Sequence, residues 1–230
     1  MSAATAVTDP PGRTHRRWLA QVGILVVAWA ILLGLVVGVG RLITDPLKGS
    51  VGSSDNDLAR WFAGQRTSSL NDIAEYVSLL GDTRVELILA PIIAVGVWVW
   101  QRSIRPAVFV ALTTAGIGGI YILSANAIQR PRPPVEILDH GLDPLHSFPS
   151  GHVGTATVLY GLIVVLVWTY ARVARWWVTP LLLIPFLVMV SRMYEGAHHL
   201  SDVVTSLAFA SIWLAASARV LLPRRSALPK

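Results

Sequence analysis

The sequence predicts an all-α fold: a polytopic membrane bundle of six spanning helices with short amphipathic helices at the interface. Three observations carry this. Hydrophobic residues make up 53% of the 230-residue chain and charged residues only 14%, and the mean hydropathy is +0.58, too apolar for a soluble domain of this length. The apolar residues are gathered into runs long enough to cross a bilayer. Apart from Glu86 and Arg219, near the ends of two runs, the charges lie outside those runs. There are no cysteines, which excludes disulfides, thiol catalysis and cysteine-ligated metals.

Taken in order, residues 1–17 are polar and small, with Arg13, Arg16 and Arg17 just before the first apolar run, and read as a disordered cytoplasmic tail. The first span, 18–39, is nearly unbroken and exceeds the apolar core of a signal peptide, and its only A-x-A match, Ala28-Trp29-Ala30, lies in mid-span, so the helix is expected to be retained. From Arg41 to Arg84 the chain turns polar. Leu58, Trp61 and Phe62, then Leu70, Ile73, Ala74 and Val77, recur at helical spacing and predict two short helices lying on the membrane surface. Spans follow at about 85–100 (holding Pro91), 107–128, 151–170, 176–190 (holding Pro180 and Pro185) and 203–222. Residues 223–230 form a basic cytoplasmic tail.

Charge sets the orientation. Arg102, Arg105, Arg172, Arg175, Arg219, Arg224, Arg225 and Lys230 fall on the side of the basic N-terminus. Asp45, Asp55, Asp57, Asp72, Glu75, Asp82, Glu136, Asp139, Asp143, Glu195 and Asp202 fall on the other. The excess of arginine and lysine in cytoplasmic loops puts both termini in the cytoplasm of a plasma (cytoplasmic) membrane protein. Trp18, Trp98, Trp100, Trp168, Tyr170, Trp176 and Trp177 mark the cytoplasmic span ends as an interfacial belt. The formal charge of +6 is therefore a topology signal, and no nucleic-acid partner is expected.

Three polar clusters land on the extracytoplasmic side. In Arg130-Pro131-Arg132-Pro133-Pro134 the prolines stop a helix and fix two guanidinium groups at the membrane edge; arginine suits phosphate because its planar fork donates paired hydrogen bonds and keeps its charge. In Ser147-Phe148-Pro149-Ser150-Gly151-His152, Ser150 is a helix N-cap, Gly151 leaves first-turn N–H groups open to an anion, and His152 is a candidate proton donor. The third cluster runs from Ser191 to Asp202. Arg192 ends an apolar run, where an unpaired cation is costly unless it faces a cavity or an anion. His198 and Asp202 are four apart, so on a helix they share a face and the carboxylate holds the imidazole in one tautomer.

R-P-R-P, then P-S-G-H, then S-R-x-x-x-x-x-H-x-x-x-D, in that order, resembles the tripartite pattern of the type 2 phosphatidic acid phosphatase superfamily, which also includes vanadium haloperoxidases and bacterial acid phosphatases. The resemblance runs from about Asp55 to Leu222. It implies that His198 is a nucleophile forming a phosphohistidine, that Asp202 orients it and stabilises its charge, and that His152 protonates the leaving group. It also implies that Arg132, Arg192, Ser150 and the Gly151 N–H hold the phosphoryl oxygens. The implied substrate is a lipid phosphate in the bilayer, of the phosphatidic acid, phosphatidylglycerol phosphate, diacylglycerol pyrophosphate or polyprenyl pyrophosphate type. No cofactor and no metal are implied, and fixed donors suffice to neutralise equatorial phosphoryl charge.

One position departs from the pattern. The family's first motif opens with a lysine seven residues before the second arginine of R-P-R-P, and here that residue is Ala125. Asn126 and Arg130 are the candidates to compensate. Without the lysine, a weakened enzyme or a lipid-phosphate binder that has lost catalysis stays open, as does a phosphotransferase to an acceptor other than water. His140, His146 and His199 lie nearby without a carboxylate spacing that would support metal binding. Glu86, near the outer end of the second span, faces either the site or the interface.

Overall fold

The computed structural model describes residues 11–223 and is helical throughout its elements, with no strand among the described residues. The first helix, α1 (Pro11–Thr44), begins before Trp18, so residues 11–17, expected in the tail, are helical. The expected tail segments 1–10 and 224–230 lie outside the described residues. A single π-helical turn, Lys48–Gly52, leads into α2 (Ser53–Gly64), and α3 (Ser68–Leu79) follows with Thr67 as its N-cap. These are the two short helices that the spacing of Leu58, Trp61 and Phe62 and of Leu70, Ile73 and Val77 predicts.

The helix α4 (Thr83–Gln101) starts where Asp82 accepts a 2.6 Å hydrogen bond from the Arg84 N–H and runs through Pro91 without ending. The next, α5 (Ile104–Ile128), stops at a left-handed Gln129, just before the proline-rich segment that cannot continue it. After the polar loop come α6 (Gly151–Tyr170), the four-residue α7 (Arg175–Val178), α8 (Ile184–Tyr194) and α9 (Leu200–Leu221). The single span expected over 176–190 is instead segmented. A 3₁₀ stretch, Thr179–Leu183, with Pro180 in its first turn, separates α7 from α8, and Pro185 opens α8, the position where a missing N–H does no harm.

Six stretches are long and apolar enough to cross a membrane: Trp18–Thr44, Ser68–Gln101, Ile104–Ile128, Gly151–Tyr170, Arg172–Tyr194 and Leu200–Leu221. At the centre stands α6, packed against α4, α5, α8 and α9, while α1 closes the outside of the α5–α9 pair. One apolar core joins Phe109, Phe148, Val158, Leu162 and Trp213; a second joins Val153, Leu159, Val188 and Val203 beneath α2 and α3. Indole N–H groups tie the layers together: Trp29 donates to the Gly116 carbonyl (2.8 Å) and Trp213 to the Thr113 carbonyl (2.9 Å). Inside a bilayer such polar pairings are needed, because no water is available to replace them. The result brings the C-terminal ends of α1, α5 and α8 and the N-terminal ends of α4, α6 and α9 to one end of the bundle, where all three polar clusters meet.

Candidate active site

The site is built on two helix starts and the loop between them. At the start of α6, Ser150 takes the Val153 N–H at its hydroxyl (3.5 Å) and its carbonyl accepts from Gly154, leaving the Gly151 and His152 N–H groups outside the helix's own ladder. The Tyr121 ring lies over Gly151; a Cβ there would approach it to 3.3 Å. The turn between α3 and α4 presses just as closely on the other side. A Cβ on Gly81 would stand 2.6 Å from the His152 carbonyl oxygen, so only glycine allows that approach.

Arg132 is held from three directions: Nε donates to the Asp143 carbonyl (2.7 Å), Nη1 to Ala197 (2.6 Å) and Nη2 to His146 (3.1 Å). These bonds knit the 129–150 loop to the turn before α9. Burial, then the nearby Arg192 charge, lowers its pKa from the usual value, yet a guanidinium so acidified remains a cation at neutral pH. Arg192 is fully buried at 0% exposure. Its Nη1 donates to Ser78 Oγ (2.6 Å) and Glu195 Oε2 (2.7 Å). Its Nη2 lies 2.9 Å from Asp139 Oδ2 but without hydrogen-bond alignment, and Nε and Nη2 are left with no hydrogen-bond partner. Buried donors without partners are costly, and an anion in the site would relieve that cost. Glu195, beside Arg192, has its pKa pushed up to about 7 by burial, against the pull of the arginine.

The third cluster turns at Gly196, whose φ of +72° favours glycine. Arg66 anchors that turn by donating to the Tyr194 carbonyl (3.1 Å) and the Glu136 carbonyl (2.9 Å). His198 lies before α9 rather than on it, so the expected helical pairing with Asp202 does not form: Nδ1 is 3.9 Å from Asp202 Oδ2, beyond hydrogen-bond reach. Nδ1 instead sits 2.6 Å from the Ser147 carbonyl oxygen. A carbonyl can only accept, so Nδ1 carries the proton and the Nε2 lone pair is left for a reaction. Burial, then the charges of Arg192 and Arg132, pushes the His198 pKa well below its ordinary value, with Asp202 opposing and His152 adding to the push. The ring is therefore neutral at physiological pH.

Asp202, at 0% exposure, is the hub beneath it. It accepts from Arg130 Nη1 (2.5 Å), Ser147 Oγ (2.6 Å) and the His199 N–H (2.8 Å), the last closing a capping box at the start of α9. Arg130, a candidate phosphate contact from sequence, is committed elsewhere: its other branch donates to Asp55 on α2 at 2.8 Å. Asn126 is exposed and turns its amide back to the Ile122 carbonyl (2.7 Å), away from the cluster. Neither occupies the place of the absent lysine. Ala125, only 2% exposed, lies one turn from Tyr121 on the same face of α5, the face toward Gly151.

The structure thus gathers Ser150, Gly151, His152, Arg132, Arg192, His198 and Asp202 at one end of the bundle. Sequence reasoning missed the residues that hold them. Ser147 lies two residues before the P-S-G-H stretch and drew no role of its own; Asp55, Asn56 (3.2 Å from His199 Nε2) and Arg66 come from distant segments with no local signal. Among the described residues no group of three or more histidines and carboxylates is arranged to hold a metal ion.

The family model of the PAP2 superfamily matches residues 106–226. No curated protein matches the chain. Among solved structures, the fold is similar to the transmembrane PAP2 type phosphatidylglycerolphosphate phosphatase from Bacillus subtilis, with a TM-score of 0.68 and 21% identity over 86% of this chain and 94% of that one. With the three motifs brought to one end of a six-span bundle, and a family match extending from the start of α5 past the end of α9, the chain belongs to the PAP2 superfamily.

Proposed function

We propose that the protein is an integral membrane lipid phosphatase working through a phosphohistidine. The observation that carries this is the His198 geometry: its Nδ1–H is committed to the Ser147 carbonyl, and the ring is held neutral by burial and two arginines. A neutral imidazole with a fixed tautomer is an oriented nucleophile. Nε2 attacks phosphorus, the bond from phosphorus to the leaving oxygen breaks, and protonated His152 gives its proton to that oxygen. Water then attacks the phosphohistidine, His152 takes the proton of that water, and the phosphorus–nitrogen bond breaks to release phosphate. Arg132, the unpartnered donors of Arg192 and the first-turn N–H groups of α6 neutralise the equatorial oxygens. Preorganised donors of this kind supply most of what phosphoryl transfer needs.

A bundle whose site lies at one membrane edge suits a substrate whose tail stays in lipid. A phosphate monoester such as phosphatidylglycerol phosphate fits this reading, supported by the similarity to a phosphatidylglycerolphosphate phosphatase. The placement of basic residues supports a topology with both termini in the cytoplasm and the site on the extracytoplasmic face. Ala125 in place of the motif lysine favours a second reading, a slow enzyme or a lipid-phosphate binder. Phosphate release from lipid phosphates by purified enzyme separates them. His198→Ala should abolish trapped phosphoenzyme, His152→Ala should slow its formation most with poor leaving groups, and EDTA should have no effect. Labelled phosphoenzyme in the His198 variant would overturn the mechanism.

A further inference from the structure

Arg192 presents two different edges to its surroundings. Nη1 is fully used, donating to Ser78 Oγ at 2.6 Å and to Glu195 Oε2 at 2.7 Å. Nε and Nη2, the parallel fork that suits an oxyanion, are buried without a hydrogen bond. What faces Nη2 is Asp139, whose Oδ2 lies 2.9 Å away but out of alignment. Charge alone holds that pair, and its two members differ in freedom. The Arg192 side chain is 1% exposed and rooted in α8, whereas that of Asp139 is 32% exposed and sits in the loop before α6. The Leu138 N–H ties the loop to the Glu195 carbonyl at 2.9 Å, and Gly141 turns the chain just beyond at a φ of +91°.

A cavity of about 450 Å³ opens beside this loop, with Asp139 on one wall and Glu75 and Asp82 on another. It reaches His152 and Glu195, yet neither Arg192 nor His198 forms part of its lining. Asp139 therefore touches the cavity with one side and covers the arginine with the other. Its charge is also among those felt by Arg132, so one carboxylate lies near both arginines that are to hold the phosphoryl oxygens. We propose that Asp139 is an internal latch: it covers the Arg192 fork, swings aside when the phosphoryl group arrives, and returns to help expel the phosphate product. This rests on the lipid-phosphatase reading and adds a step to its cycle. A phosphoryl oxygen can meet Nε and Nη2 in alignment, as Asp139 does not, so the exchange gains charge-assisted hydrogen bonds. The loop position lets the displaced carboxylate reach water, so no unpaired charge is left buried.

The test is binding of inorganic phosphate to the full chain in detergent, measured by calorimetry on the parent and on Asp139→Asn. The variant should bind phosphate at least about tenfold more tightly, a modest share of the effect of one like charge at that range. In turnover, product phosphate should inhibit it more strongly to match. Glu75→Gln removes a carboxylate that lines the same cavity but makes no ion pair with Arg192, and it should change phosphate affinity by less than about twofold. An equal gain in Glu75→Gln would reveal a general field effect and overturn the latch. Unchanged or weaker binding in Asp139→Asn would overturn it too, since the carboxylate would then be bracing Arg192 for phosphate rather than competing with it. Asp139→Ala repeats the measurement, and thermal melts follow the folding of both variants; if neither folds, Asp139 is a structural strut and the latch falls. Because binding is read without turnover, a protein that shows this pattern yet hydrolyses no lipid phosphate would sink the phosphatase reading and leave the latch on Arg192 standing.

Discussion

Replacing Asp202 by asparagine tests whether this carboxylate acts on His198 by charge rather than by contact. The two groups are 3.9 Å apart, too far for a hydrogen bond, and the imidazole is already oriented by the Ser147 carbonyl. Orientation should therefore survive the substitution, while the stabilisation of positive charge on the phosphorylated ring should not. At an effective dielectric constant of about 20, two unit charges at this distance interact by about 4 kcal/mol. If that stabilisation is realised only as the ring becomes cationic, kcat should fall by about 10³, with KM little changed. The assay is phosphate release from a lipid phosphate in detergent, with rapid-quench trapping of the phosphoenzyme. Thermal stability is followed in parallel, since Arg130 would keep Asp55 and Ser201 but lose the charge of Asp202. A loss of less than tenfold in a stably folded variant would refute the electrostatic role of Asp202.

Other outcomes follow from the same geometry. Gly81→Ala places a methyl group against the His152 carbonyl; it should lower kcat and cost about 1–3 kcal/mol of stability by overpacking, read by kinetics and thermal melts. Glu195 carries a folded-state pKa raised from 4.5 to about 7, so the folded protein holds an extra proton between those values. Its contribution to stability is therefore present at low pH and lost as pH rises through 7, by at most about 3 kcal/mol. The stability of Glu195→Gln relative to the parent should accordingly be greater at pH 8 than at pH 5 in melts at the two values. Ala125→Lys adds a cation on the α5 face toward Gly151 and should raise kcat/KM for a lipid phosphate. A fall in a well-folded variant would show that the position does not reach the phosphate.

The spans were legible because bilayer thickness imposes a run length that any hydropathy reading detects. The two short helices were legible because Trp61 and Phe62, or Ile73 and Val77, repeat at helical spacing. Breaks were harder. Pro91 is carried inside α4, whereas Pro180 and Pro185 segment the fifth span, and the difference lies in whether the proline falls in a helix interior or a first turn. In the site, residues on short motifs could be named from sequence. What each side chain does could not. Arg130 and Arg132 sit two positions apart in one motif, yet one is locked between two buried aspartates and the other braces a loop through three carbonyls. The i, i+4 relation of His198 and Asp202 suggested a shared helix face because the start of α9 at Leu200 was not visible in the pattern. Pairings such as Asp55 with Arg130, across 75 residues, depend on tertiary packing and leave no local trace.

The central position of α6 carries a consequence for how the protein tolerates its surroundings. In its most apolar window 67% of α6 is buried, against 17% for α1. A change in bilayer thickness acts first on lipid-facing helices, which tilt or shift to match it. The helix bearing His152 is shielded by neighbours on most sides, so its register is set by protein rather than by acyl chains. Such a scaffold lets outer helices adapt from one lipid composition to another while His152 keeps its height relative to His198.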